Sequence, residues 1–181
     1  MTTTQIILLA AGAMLAGIVT AFLLLRPRFV LLNRRLMTDH TTGLLNYEGF
    51  LQYLNKHQKK DSYVLYLLDL DDFRRFNRQG YDTGDRVLKA FALKLSRVVG
   101  NLAVCARYRL GDEFLIMVRQ KDSEKLAVVL DKLNHDTAYN DDPVHFSYGV
   151  AAIECNDADC FSAIRNAHEI LMSKKTDQAA L

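Results

Sequence analysis

Apolar and polar positions fall into blocks along this chain, and the longest apolar block comes first. Residues 6–25 carry no charge and are interrupted only by glycine, alanine and Thr20. As a helix such a run spans about 30 Å, the depth of a bilayer core, which predicts a transmembrane helix within residues 1–25. A cleaved leader fits less well, because no basic residue precedes the apolar run. Arg26, Arg28, Arg34 and Arg35 follow directly, and only uncharged residues lie ahead. That asymmetry predicts a single pass with the N-terminus outside and the remainder in the cytoplasm. Residues 26–37 mix those arginines with Phe29, Val30, Leu32 and Leu36, and read either as a short helical stalk or as a linker meeting anionic headgroups.

Beyond this point the periodicity shortens. Helices are expected over 47–59, 72–77, 83–99, 122–135 and 158–175, and strands over 63–69, 103–109, 114–119 and 144–152. The alternation predicts one α/β (α+β) domain over residues 38–181, with a mostly antiparallel central sheet flanked by helices. The run Tyr63-Val64-Leu65-Tyr66-Leu67-Leu68 is almost unbroken apolar sequence, as expected of a central strand, and it ends in Asp69 and Asp71. Leu102-Ala103-Val104-Cys105-Ala106 and Phe114-Leu115-Ile116-Met117-Val118 read as a hairpin with Asp112 and Glu113 at its tip. If these strands are neighbours, carboxylates from distant segments meet at one edge. Hard oxygen ligands of that kind suit magnesium, or manganese, completed by substrate phosphates.

Composition adds two constraints. With 181 residues, half of them hydrophobic, the chain can build a core and still carry an N-terminal extension. A net charge of +2, with basic and acidic residues interspersed, gives no support to a polymeric nucleic-acid partner. Cys105, Cys155 and Cys160 form no Cys-x-x-Cys pair, which suits reduced thiols.

Taken in order, the motifs resemble the GGDEF domain of diguanylate cyclases from about Asp39 to Lys175. Asp39-His40-Thr41-Thr42-Gly43-Leu44-Leu45-Asn46 is similar to that family's opening block, and Asp69-Leu70-Asp71-Asp72-Phe73-Arg74-Arg75-Phe76-Asn77 to its metal block. Gly80-Tyr81-Asp82-Thr83-Gly84-Asp85, Gly111-Asp112-Glu113-Phe114 and Ser147-Tyr148-Gly149 follow in the family's order. The resemblance implies a palm-like nucleotidyl-cyclase fold and condensation of two GTP into cyclic di-GMP by a homodimer at the bacterial inner membrane. It implies that Asp69, Asp112 and the Leu70 carbonyl hold the metal and that Glu113 sits by the attacking hydroxyl. Asn77 and Asp85 would read guanine, Tyr81 would border the base, and Phe73, Arg74 and Lys175 would meet the triphosphate.

Several positions depart from the family pattern. The first signature glycine is either replaced by Leu110 or deleted, and the chain between Asn77 and Asp85 is one residue short. Arg74 replaces a lysine, Arg78 an acidic residue and Tyr81 a histidine; His168, Met172 and Ala179 replace Asp, Tyr and Arg. Asn101-Leu102-Ala103-Val104 stands where an Arg-x-x-Asp product-inhibition motif would lie. Two function classes result. One is an active diguanylate cyclase without that feedback; the other is a degenerate module that binds GTP or serves as an interaction or regulatory subunit.

Overall fold

Strand β1, Tyr63–Leu70, is buried along nearly its whole length, as a strand covered on both faces must be. The computed structural model that shows this describes residues 2–57, 62–109, 111–153 and 160–179. Two compact units divide between Leu36 and Met37. The first is one helix, α1, Thr3–Leu36, with Pro27 inside it and large apolar side chains such as Phe22 and Leu24 exposed. The stretches expected as membrane segment and stalk are thus continuous in secondary structure. By length and composition α1 could cross a membrane.

In the second unit the elements follow in the order α2 (Tyr47–His57), β1, α3 (Arg74–Arg78), α4 (Tyr81–Val99), β2 (Ala103–Tyr108) and β3 (Glu113–Arg119). A 3-10 turn at Gln120–Asp122 leads into α5 (Ser123–Asp136), a small hairpin of β4 (Ala138–Tyr139) and β5 (Asp142–Pro143), then β6 (Phe146–Ile153) and α6 (Cys160–Ala179). The main sheet has the order β2-β3-β1-β6, and every pair in it is antiparallel.

Side chains alternate across this sheet and divide the core into two layers. Val64, Tyr66, Leu68, Phe114 and Ile116 pack with Phe91 of α4 and Leu130 of α5. Leu65, Leu67, Leu115 and Met117 pack with Phe50 of α2 and Ile164 and Leu171 of α6. Gly149 in β6 allows α6 to come this close, because a Cβ there would collide with the Ala167 carbonyl.

Some boundaries differ from the sequence reading, for local reasons. The first helix after β1 begins at Arg74 rather than 72, since Asp72 takes a left-handed φ of 50°. Helix α4 begins at Tyr81 rather than 83, with Gly80 supplying the irregular N-cap at φ 127°. The expected helix from 122 begins one residue later, and the expected strand from 144 begins at Phe146. The β4–β5 hairpin was not foreseen; its turn residues Asn140 and Asp141 are both left-handed, at φ 49° and 67°, a Type I′ pattern that Asn-Asp can signal.

Candidate active site

Register places the acidic residues. Asp69 pairs with Glu113 across β1 and β3 and with Ser147 across β1 and β6, so the central strand carries one carboxylate directly opposite another. One step further out, the Leu70 N–H donates to the Asp112 carbonyl at 3.3 Å, which extends the ladder onto the hairpin tip. Asp71 is tied by its own N–H to the His145 carbonyl at 2.9 Å, and Ser147 Oγ donates to both of its carboxylate oxygens at 3.0 and 3.1 Å. Asp69, Asp71, Asp112 and Glu113 therefore gather at one end of the sheet.

Lys175 enters this group from α6. Its ammonium is ion-paired with Asp69 and lies 3.2 Å from Asp71. Burial works against the Lys175 charge, but the two carboxylates outweigh it and raise the pKa. Asp112 and Glu113 are not neutralised in this way. Half-burial, and then the charge of Asp69, push both carboxyls above their ordinary values. The end of the sheet thus holds more negative charge than its own lysine balances.

Such a site fits magnesium through the donor chemistry. Among the described residues no group of three or more His, Cys, Asp or Glu side chains forms a cage by itself. Asp69 and Asp112, with the Leu70 carbonyl, offer the one or two carboxylates that magnesium takes when water and phosphate complete its shell.

The guanine-reading candidates lie on the other layer. Asn77 is on α3 and Asp85 on α4, and a Cβ at Gly84 would collide with the Asn77 Oδ1. Gly84 therefore lets the Asn77 amide lie against the backbone next to Asp85. Both side chains are exposed. Helix capping, a competing role for Asp85, does not apply, because the helix starts four residues earlier with Gly80 as its cap. Phe73 is buried beside Phe76 and caps the start of α3, while Arg74, its first residue, is exposed. Tyr81 opens α4, but its side chain lies outside the described part, as do Leu110 and Cys155. Cys105 is a free thiol whose burial pushes its pKa to about 12.

One supporting pair escaped the sequence reading. Arg107 donates to Asp39 at 3.2 and 3.3 Å, with both side chains buried, and its Nε donates to the Gly111 carbonyl at 3.0 Å. Asp39 also accepts from the Thr42 N–H and hydroxyl at 2.8 and 2.7 Å. Burial raises its pKa, yet these bonds and Arg107 bring it below the ordinary value. The opening block thereby braces the tip that carries Asp112. The available signal was Arg107 itself, a cation directly following the apolar strand run 102–106 and therefore in need of a partner if buried. At the tip itself Arg109 is left-handed at φ 54°, a conformation that favours glycine, so a departure from the glycine pattern also falls on Arg109 and not on Leu110 alone.

A family model described as the diguanylate cyclase GGDEF domain matches residues 36–180. The chain belongs to the GGDEF domain family. Over 140 residues it is 29% identical to the diguanylate cyclase DgcP of Pseudomonas aeruginosa, covering 69% of this chain and 20% of that protein. Over 85 residues it is 36% identical to the cyclic di-GMP phosphodiesterase NbdA of the same species, covering 44% of this chain and 11% of that protein. The chain thus spans a fifth or less of the length of these relatives. The coiled coil and GGDEF domain of DgcB from Caulobacter crescentus, solved with c-di-GMP, shares the fold with a TM-score of 0.75 at 23% identity, covering 93% of this chain and 95% of that one.

Proposed function

We propose that this GGDEF protein is a diguanylate cyclase anchored in the bacterial inner membrane by α1, with residues beyond the helix in the cytoplasm, condensing two GTP into cyclic di-GMP as a homodimer. The observation that carries the reading is the meeting of Asp69, Asp112 and Glu113 at one sheet end, with Lys175 ion-paired to Asp69 beside them. Asp69, Asp112 and the Leu70 carbonyl would hold magnesium or manganese, which supplies charge neutralisation on the triphosphate. Lys175 exchanges its carboxylate partners for phosphate oxygens when nucleotide binds. Arg74 adds a second cation, and the Phe73 backbone steadies the same end. Glu113, with its raised pKa, accepts the proton of the attacking 3′-hydroxyl better than an ordinary carboxylate does. Asn77 faces the O6 acceptor of guanine and Asp85 its N1 and N2 donors, with Tyr81 at the border. Without an Arg-x-x-Asp motif, product does not feed back through that route.

A second reading, a module that binds GTP without turnover, draws on the non-glycine tip at Arg109 and Leu110. One assay separates the two. The full chain in detergent is incubated with magnesium and labelled GTP, and the products are resolved. Cyclic di-GMP that vanishes in Asp112→Ala is the expected result; GTP retention with no product in the unaltered chain would establish the second reading.

A further inference from the structure

Two guanidinium groups and an imidazole face one cavity beside Glu113, and the reaction above uses none of them. The cavity, about 340 Å³, lies between the hairpin tip and the first half of α6 and is walled by Tyr108, Arg109, Glu113, Phe161, Arg165 and His168. Positions 161, 165 and 168 are spaced to share one face of α6. Tyr108 and Phe161 both meet the ring of Tyr47 edge-on, with centroids 5.3 and 6.3 Å away, so the aromatic wall is fixed. Phe161 is nevertheless 63% exposed, a large ring presented to solvent at the cavity. The Arg109 guanidinium stands over Tyr108, 5.0 Å from its centroid.

Charge points the same way. Among the described residues neither Arg109 nor Arg165 has an ion pair, and Glu113 is the one acid in the cavity wall. Two arginines against the single carboxylate of Glu113, beside the open ring of Phe161, form an arrangement for a planar base and a phosphate together, since guanidinium pairs with phosphate oxygens in a fork and any base can stack.

We propose that this cavity binds a nucleoside phosphate, with its base on the exposed ring of Phe161 and its phosphate on Arg109 and Arg165. The site is separate from the guanine-reading pair. Tyr108 belongs to the layer that packs on α2 and α6, whereas α3 and α4, which carry Asn77 and Asp85, cover the opposite layer. It also needs no metal, because its phosphate partners are cationic side chains.

Those two differences define the test. The full chain in detergent, with EDTA present, is dialysed to equilibrium against radiolabelled GMP or ribose 5-phosphate. GMP is expected to bind, and ribose 5-phosphate at least tenfold more weakly. The double change Arg109→Gln with Arg165→Gln should weaken GMP at least thirtyfold, and Phe161→Ala about tenfold, while Asn77→Ala leaves binding unchanged. Both arginines are exposed, so the double variant keeps its fold. Absence of GMP binding, or binding lost with Asn77→Ala and kept in the double variant, overturns the proposal.

Discussion

Arg107 shows what a single buried residue contributes to a site it does not enter. It holds Asp39 and the Gly111 carbonyl together, and neither side chain of the ion pair reaches solvent. Changing Arg107 to Met leaves the Asp39 carboxylate buried without its cation, which should cost about 3–5 kcal/mol in urea denaturation of the second unit. Because the Asp39 pKa is lowered by folding, its stabilisation is complete above the ordinary carboxylate value of about 3.9 and is lost as pH falls through the lowered one. Asp112 and Glu113 behave oppositely. Folding raises their pKa values, so their ionised forms oppose folding at neutral pH, and that penalty disappears as pH falls through the raised values. Magnesium should therefore raise the melting temperature at neutral pH, and the gain should shrink on acidification as these carboxyls take up protons. A gain unaffected by pH, or lost only with Asn77, would place the ion elsewhere. Asp69 and Asp112 were legible in the sequence because each stands at the end of a strong strand signal. The partners of Asp71 and Arg107 were not, because Ser147 and Asp39 are distant in sequence and meet them only in the folded chain.

At the scale of elements, close approach of backbones decides the packing of helices on this sheet. Gly149 faces the Ala167 carbonyl, where both parties are backbone and neither can move aside cheaply. Gly149→Ala should cost at least about 2 kcal/mol, read from the denaturation midpoint. Gly84 is a different case, since a Cβ there collides with the flexible Asn77 side chain and only presses on the edge of the Phe73 ring, at 3.3 Å. Alanine is the better helix former by about 1 kcal/mol, so Gly84→Ala should leave stability unchanged or higher. GTP affinity should nevertheless fall about tenfold as Asn77 is displaced. Stability and binding moving together would contradict this assignment. The strands and most helices were readable from periodicity, which reports burial on a face. Helix starts at Arg74 and Tyr81 were not, because they depend on the backbone conformations of Asp72 and Gly80. The β4–β5 hairpin is too short to carry any periodic signal.

For the whole molecule, the two units divide the physical work. The second unit carries its own core layers on both sides of one sheet, so it should fold without α1. Helix α1, by contrast, exposes Met14, Phe22, Leu23 and Leu24 and has no apolar surface of its own to cover them. Lipid does so in the proposed membrane anchor. Gly12 and Ala16 lie four apart, as do Ala13 and Gly17, and small residues at that spacing let two helices approach closely in a bilayer. If cyclisation requires two copies, anchoring through α1 as proposed raises their encounter far above the solution value. Removing residues 1–35 should then release a folded, soluble protein whose specific activity falls at least tenfold at low concentration. Fusion to an unrelated dimerising helix should restore it. Gly12→Leu with Ala16→Leu in the full chain should keep the protein in the membrane fraction but reduce product formation several-fold. Full activity in that variant would show that pairing of the catalytic units does not run through this face of α1.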